Sequence, residues 1–599
     1  MLRVANCSGF YGDRVDAAQE MVSGGPIDVL TGDWLAELTM LILARRRESR
    51  GPGSGYAATF LEQLEQVLVP CMDRGIKVVS NAGGLDPHGL KEELMSLAKQ
   101  LRVTPRIAVV AGDDLLLRIK DLQRTGENFP NLDTGEDFAA LDPTVLTANA
   151  YLGAGGIAAA LAGGADIVVT GRVTDASLVV GPAAWWFDWA STEADALAGA
   201  TVAGHLIECG TQVTGGNYAF FAEVPGMEHL GFPIAEIEAD GACVITKHSE
   251  QGGEVSAGTV TAQLLYEIDG PQYLGPDVVT RLDHLRVTDE GNDRVRVSGA
   301  IGEPAPSALK VALNYSAGFT NTVTFVLTGL DLEAKASLVE LQLFAAIPGG
   351  KEAFDDVHVQ LLPHRVSGEP ENLWQAQAEL RVTVTGSDRK AVDRAFTSQA
   401  VALTLASVPG LFLPGIPPKA EALSSYWPTT VARENVVTEV EMYASDGGDA
   451  VRLEPRDLTV TEVGPTADPL RSVAASDPTV LQTVRAPLGR LVGARSGDKG
   501  GNVNVGLWIR HDLPDRLVAY HWLLREISAE RFSELLPESL GLRIDRFEFD
   551  NLHAMNFVVR GLLGRGVSGT SFPDPQGKGL GEYVRARLID LPLHLLEVK

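Results

Sequence analysis

Acids and amides gather where short apolar runs end, and that is where the chain can do chemistry. "TGDWLAEL" (31–38) sets Asp33 at the end of one run and Glu37 four residues on. "NAGGLDPHG" (81–89) adds Asn81, Asp86 and His88, and "AGDD" (111–114) adds the Asp113–Asp114 pair. Carboxylates beside an amide can give and take protons when burial brings their pKa values towards working pH. Asp33, Asn81 and Asp114 are the candidates to position or polarise a reacting group. Carboxylates with a His can also bind a divalent cation, but no spacing here follows a zinc motif. A metal is not assigned, although a divalent ion remains compatible with this composition.

Cationic residues occupy comparable places. "TGRVTDAS" (170–177) carries Arg172 and Asp175 just past an apolar run. Arg172 could clamp a carboxylate with two parallel hydrogen bonds, or pair with Asp175 to fix the turn. "RSGDKGGN" (495–502) places Arg495, Lys499, Gly500, Gly501 and Asn502 between two apolar segments. Lys499 precedes the glycine pair and a strand-like run follows, so a nucleotide P-loop is not expected. Two readings stand: an anion nest of glycine amides with Lys499 and Arg495, or a tight turn with solvated charges. "GHLIECGTQVTGGNY" (204–218) offers His205, Glu208 and Cys209, with His205 and Cys209 at helical spacing: either a nucleophile with its base or a packed helix face. Its "GGN" places Asn217 among the binding candidates. In "NCSGFYGDR" (6–14), Gly9 allows close backbone approach, and Asp13 reads as a helix N-cap.

The elements that must carry these residues alternate. Strand-like runs at 2–6, 27–32, 76–84, 106–114 and 165–172 are separated by helical stretches such as 13–24 and 55–75. This pattern predicts a mostly parallel α/β sheet, whose carboxyl ends share one ligand-binding edge. Gly9, Gly83 and Gly84 then offer backbone amides at that edge. The uncharged run 144–165 is too poor in bulky hydrocarbon to span a membrane and reads as a tightly packed helix start. From 255 the chain turns strand-rich, with strands expected at 257–268, 284–288, 293–300, 308–315 and 319–329, and helices at 331–346 and 388–406. The expected organisation is an α/β domain (1–254), an α+β domain (255–462), a Pro-rich linker (463–484) and an α+β module (485–599).

Charge and cysteines bound the function. With 78 acidic against 50 basic residues, the net charge is −28. That excludes a nucleic-acid footprint and disfavours an anionic membrane surface, so any anion site must be built locally. The four cysteines show no CxxC spacing, which points to a reducing cytoplasm without disulfides or zinc. The N-terminus has no apolar signal core, so secretion is not expected.

"VANCSGFYGDR", "DVLTGDWLAELTM", "NAGGLDP", "GRVTDAS", "TGGNY" and "GTVTAQLLYEI" together resemble the acyclic terpene utilisation (AtuA-type) family. "ARSGDKGGNVNVGLW" resembles that family's C-terminal module, which implies a ferredoxin-like fold there. The resemblance implies catabolism of citronellol-like branched acids as acyl-CoA esters, by hydration or carbon–carbon cleavage. It supplies no residue roles. It makes the anion reading of 495–502 the favoured one, because a coenzyme A ester brings phosphates. On this reading Lys499 and Arg495 hold phosphate or carboxylate, Arg172 holds the acyl end, and coenzyme A enters as part of the substrate. The protein is expected to act as a homo-oligomer. A thioester hydrolase using Cys209, and a non-catalytic pathway partner, are the alternatives.

Overall fold

A computed structural model describes residues 1–141, 143–363, 370–444, 449–463 and 482–596. The expected linker therefore lies almost wholly outside the described residues.

The first six strands are β1 (Leu2–Asn6), β2 (Val29–Gly32), β3 (Lys77–Ser80), β4 (Arg106–Ala111), β5 (Val145–Ala150) and β6 (Ile167–Thr170). Five of them lie parallel in the order β1-β2-β3-β6-β4. Apolar side chains of these strands enter buried clusters on both faces, which is why the runs are almost continuously hydrophobic. Antiparallel strands extend both flanks into an 11-stranded sheet. Beside β1 come β7 (Pro233–Ile237) and β8 (Cys243–Lys247), followed by two strands from beyond residue 254, Val295–Ser298 and Arg286–Asp289. Beside β4 come Glu439–Ala444 and Val451–Leu453.

β5 leaves this sheet and pairs with the 21-residue strand Ala308–Thr328. That strand also pairs with Glu421–Ala432 and Gln377–Gly386, and helices Leu332–Ala345 and Phe396–Ala406 cover its far half. The C-terminal module is a four-stranded antiparallel sheet, with Val492–Lys499, Asn502–Ile509, Ala554–Val559 and Ile544–Phe549 in spatial order.

Local chemistry overturns four expectations. Residues 257–264 form a helix, Ala257–Leu264, not a strand. Thr259, Val260 and Thr261 look strand-like, but Ser256 and Thr259 close a reciprocal cap: Thr259 N–H reaches Ser256 Oγ, and Ser256 N–H donates to Thr259 Oγ1 at 3.0 Å. The run 144–165 is not one helix start; β5 precedes helix Gly155–Ala162, because the long strand 308–328 recruits its first part into a sheet. The stretch 495–502, expected between two apolar segments, is itself mostly strand. Strand pairing persists to Lys499 opposite Asn502, leaving Gly500-Gly501 as a two-residue hairpin turn with Gly500 at φ 65°. Asp13 is not the helix N-cap; Asp16 holds that place, and Asp13 instead accepts from Gly9 N and Arg14 N, both at 2.9 Å.

One face of the module's sheet is covered by its own helices, and the other docks on residues 265–268. Asn504 is fully buried there. It donates to Leu265 O at 2.7 Å and to Asn556 Oδ1 at 2.9 Å, and accepts from Glu267 N at 2.9 Å. Asn556 in turn donates to Ile268 O at 3.1 Å. Asn504→Ala would strand these buried partners, at about 1–3 kcal/mol for each unsatisfied group. It is expected to melt earlier than the wild type and to be cleaved faster by protease between the lobes. Unchanged melting and cleavage would show that this seam does not hold the module.

Candidate functional site

The loops that follow β1, β2, β3, β4 and β6 meet at one edge. The loop after β2 turns under Asn81: Asn81 Nδ2 donates to Asp33 Oδ1 at 2.6 Å, and Asn81 Oδ1 accepts from Trp34 N at 2.8 Å. Asp33 is thereby fixed against the wall of a narrow pocket that Asn6, Thr31, Asp175 and Glu208 also line. Helix Ser177–Phe187 begins two residues after Asp175, and Glu208 caps the end of helix Ala194–Ile207. Thr31 Oγ1 and Glu208 Oε2 are buried without a hydrogen-bond partner among the described residues.

Arg172 is the hub, with 2% of its surface exposed. Its Nη1 donates to Asp175 Oδ1 at 2.6 Å and to Leu35 O at 3.0 Å, and its guanidinium lies 4.2 Å from the centre of the Tyr151 ring. The Asp175 ion pair considered from the sequence is therefore formed. Beneath it, Asp113 Oδ2 accepts from Arg172 N and from Asn149 Nδ2, both at 2.8 Å. Of the acid pair at 113–114, Asp113 is the buried member. Asp114 is exposed, and its carboxylate accepts from Leu116 N.

On the other side of Tyr151 stands Glu37. Its Oε1 accepts from Tyr151 Oη at 2.9 Å and Tyr426 Oη at 3.4 Å, with Lys310 Nζ at 3.7 Å. Protein surrounds these groups, yet Lys310 keeps 39% and Glu37 27% of its side-chain surface accessible. Arg172, which feels Glu37, Asp175 and Asp33 alike, links them to the pocket beside Asp33, and this shared interior is the chamber.

The C-terminal hairpin forms another wall. Lys499 Nζ donates to Glu267 O at 2.7 Å and lies 5.9 Å from the Tyr273 ring centre. It makes no ion pair among the described residues. Arg495 lies over Tyr266 at 4.2 Å and donates to Gln212 Oε1. At the turn itself, Gly501 N donates to Asp133 Oδ2 at 3.2 Å and Asn502 Nδ2 to Asp133 Oδ1 at 2.7 Å. The turn does meet an anion, and that anion is a carboxylate of this chain. Gly500 packs beside Tyr426 and Asp133.

The strand-end glycines are required by the chain's own backbone. A Cβ on Gly9 would lie 2.4 Å from the Cys209 carbonyl carbon, and one on Gly83 would lie 2.4 Å from Thr170 O. Gly84, at φ 53°, presses on Leu43. Asn217 is exposed in a left-handed turn at φ 57°.

Burial and like charge govern the titration of the chamber. Burial, reinforced by Asp175, raises Asp33 well above the carboxylate range. Burial, then Asp175 and Glu267, does the same to Glu208. Asp498 is pushed up to about 8 by burial and by Glu267. Glu37 goes the other way: Lys310 and Arg172 outweigh its burial and hold it at about 2. The chamber thus sets acids of raised proton affinity beside Glu37, whose affinity is lowered, and several cations. Burial raises the Cys209 thiol well above its ordinary value and, with Lys499, lowers His205 to about 4. His205 Nδ1 faces Glu208 Oε1 at 3.1 Å, and Cys209 falls beyond the end of the helix. A neutral thiol without a base is a poor nucleophile. Among the described residues, one trio has ligand atoms close enough to share a cation: Asp16, Glu20 and His229. The Arg14 guanidinium already occupies it, 2.8 Å from Glu20 Oε2 and 2.6 Å from His229 Nε2.

Glu37 and Glu208 were visible in the quoted motifs. Glu267 also stands in a quoted motif, whereas Tyr151, Lys310, Tyr426 and Asp133 belong to none. Lys310 carried one signal, a lone cation in the alternating run "ALKVALNY" (308–315).

A parallel sheet edge lined with buried acids of raised proton affinity, beside a docked α+β module, defines an α/β protein with a C-terminal module. The chain matches the model of the acyclic terpene utilisation family protein AtuA over residues 2–442, and that of the AtuA ferredoxin-like domain over 486–590. It belongs to this family, and the C-terminal module is its ferredoxin-like domain. No curated protein and no solved structure matches the chain. Among the described residues, no helix is long and apolar enough to cross a membrane.

Asp113 offers a test of the buried charge. Its pKa rises from 3.8 to about 7, chiefly by burial. The folded state therefore keeps a proton that the unfolded chain releases. Its contribution is complete below about pH 4 and lost as pH rises through about 7. Asp113→Asn should remove this slope, gaining about 2–4 kcal/mol on the wild type between pH 4 and 8 in urea unfolding. Parallel pH profiles would contradict it.

Proposed function

We propose that the protein is an acid–base enzyme, a lyase or hydratase that processes a branched acyl-CoA ester in acyclic terpene catabolism. The observation that carries this reading is the pairing of Asp33 and Glu208 on one pocket wall, around the Asp175–Arg172 ion pair. Adding water across a double bond, or breaking a carbon–carbon bond near a carbonyl, needs one group to give a proton and another to take one. Asp33, steadied by Asn81, gives the proton, and its carboxylate takes one back. Glu208, lining the same pocket, is the second group and in its ionised form takes a proton. Lys499 supplies a positive charge for the carboxyl or thioester end, and the acidic exterior makes such an internal cation necessary. Membership of the family supports the terpene pathway. The neutral Cys209 thiol speaks against thiol-dependent hydrolysis.

The test is mass spectrometry of products from a panel of branched and isoprenoid acyl-CoA esters, with and without chelator. Gain or loss of water, or release of a short acid, identifies the reaction, and the chelator arm reads any metal requirement. Asp33→Asn and Glu208→Gln are expected to lower kcat by about 10²–10⁴ with KM little changed. Lys499→Met should raise KM instead. If every ester returns unchanged the catalytic reading fails, and binding without turnover would make the protein a ligand-binding partner of the pathway.

A further inference from the structure

Lys310 carries an ammonium among packed aromatic rings, with 39% of its side-chain surface still accessible. It sits on the long strand Ala308–Thr328, paired to Thr430 on one side, and its carbonyl accepts from Tyr151 N at 2.9 Å. Leu309, Val311 and Leu313 point to a buried apolar cluster, while Lys310 and Ala312 share the opposite face with Tyr151 and Tyr426. Removing an ammonium from water costs several kcal/mol unless partners replace its hydration. The polar partners here are Glu37 and the Tyr426 hydroxyl. Glu37, at 3.7 Å, is beyond direct hydrogen-bond distance, and its Oε1 is already shared by two tyrosine hydroxyls. The Tyr151 ring centre lies 4.7 Å from Nζ, and Arg172 uses the same ring at 4.2 Å. Tyr151, Tyr426 and Glu37 keep the ammonium charged despite its burial. Its accessible surface opens on the chamber.

We propose that Lys310 is the oxygen anchor of the chamber: its ammonium takes the carbonyl or carboxylate oxygen of a branched acyl group, with the Tyr151 ring beneath it. The small side chain of Ala312 leaves room beside it. Glu37, tied to both tyrosines, keeps the ammonium aimed without neutralising its donors. This inference rests on reading the chamber as the reaction site, but not on which ester reacts or whether turnover occurs.

Calorimetric titration with 3-methylbutanoate tests it separately from turnover. The wild type is expected to bind this acid, and Lys310→Met to bind it about ten- to a hundredfold more weakly, as loss of one charge-assisted hydrogen bond implies. Lys310→Arg should stay within about threefold of the wild type. Melting temperatures of both variants are measured alongside, so that loss of folding is separated from loss of binding. A well-folded Lys310→Met that binds as tightly as the wild type, or a wild type that binds no 3-methylbutanoate, overturns the proposal. A panel of esters that does not turn over, with Lys310-dependent binding intact, would sink the enzymatic reading and leave the anchor standing.

Discussion

The site depends on a seam made of amides. Asn504 and Asn556, both fully buried, answer the carbonyls of Leu265 and Ile268 and the N–H of Glu267. These backbone groups lie where helix Ala257–Leu264 has ended and Glu267 adopts φ 54°. Without the asparagines, a helix end and an irregular turn would sit in the interior with unmet hydrogen bonds. With them, the ferredoxin-like domain lies flat on the α/β lobe, and its first hairpin reaches the chamber. Glycines make the fit possible: a Cβ on Gly506 would lie 2.6 Å from Leu265 Cβ, and one on Gly497 2.4 Å from Tyr266.

Closing the chamber changes the chemistry of what lines it. Carboxyls at an open sheet edge would ionise in water. In this interior the proton affinities of Asp33, Glu208 and Asp498 are raised, because burial and neighbouring acids oppose a further negative charge. Glu37 escapes this rule because two cations face it. Packing and acidity are coupled here through desolvation: burial of these carboxyls raises their proton affinity.

Much of this arrangement was legible in the sequence, and the unread part has a common cause. Apolar runs ending in small polar residues identified the parallel strands and placed Asp33, Asn81 and Arg172 at the sheet edge, because that pattern is local. The glycine turn was also visible, but its anionic partner lies 368 residues away from Gly501 and no local signal links them. Lys310 reads as the solvent side of an alternating strand; only the packing of β5 and Tyr426 around it shows that both faces are covered. Helix Ala257–Leu264 is buried on every side, so it lacks the period that reveals an amphipathic helix, and its threonines imitate a strand.

Lys499 and Glu208 come from different lobes, and each lies within the electrostatic reach of the other. Interaction between charges in a poorly screened interior changes steeply with separation. A slide of the ferredoxin-like domain along its seam would move Lys499 and so alter the proton affinity of Glu208 and His205. The chamber acts as a gauge of alignment, and the acidity of its residues reports how squarely the two parts of the molecule are seated.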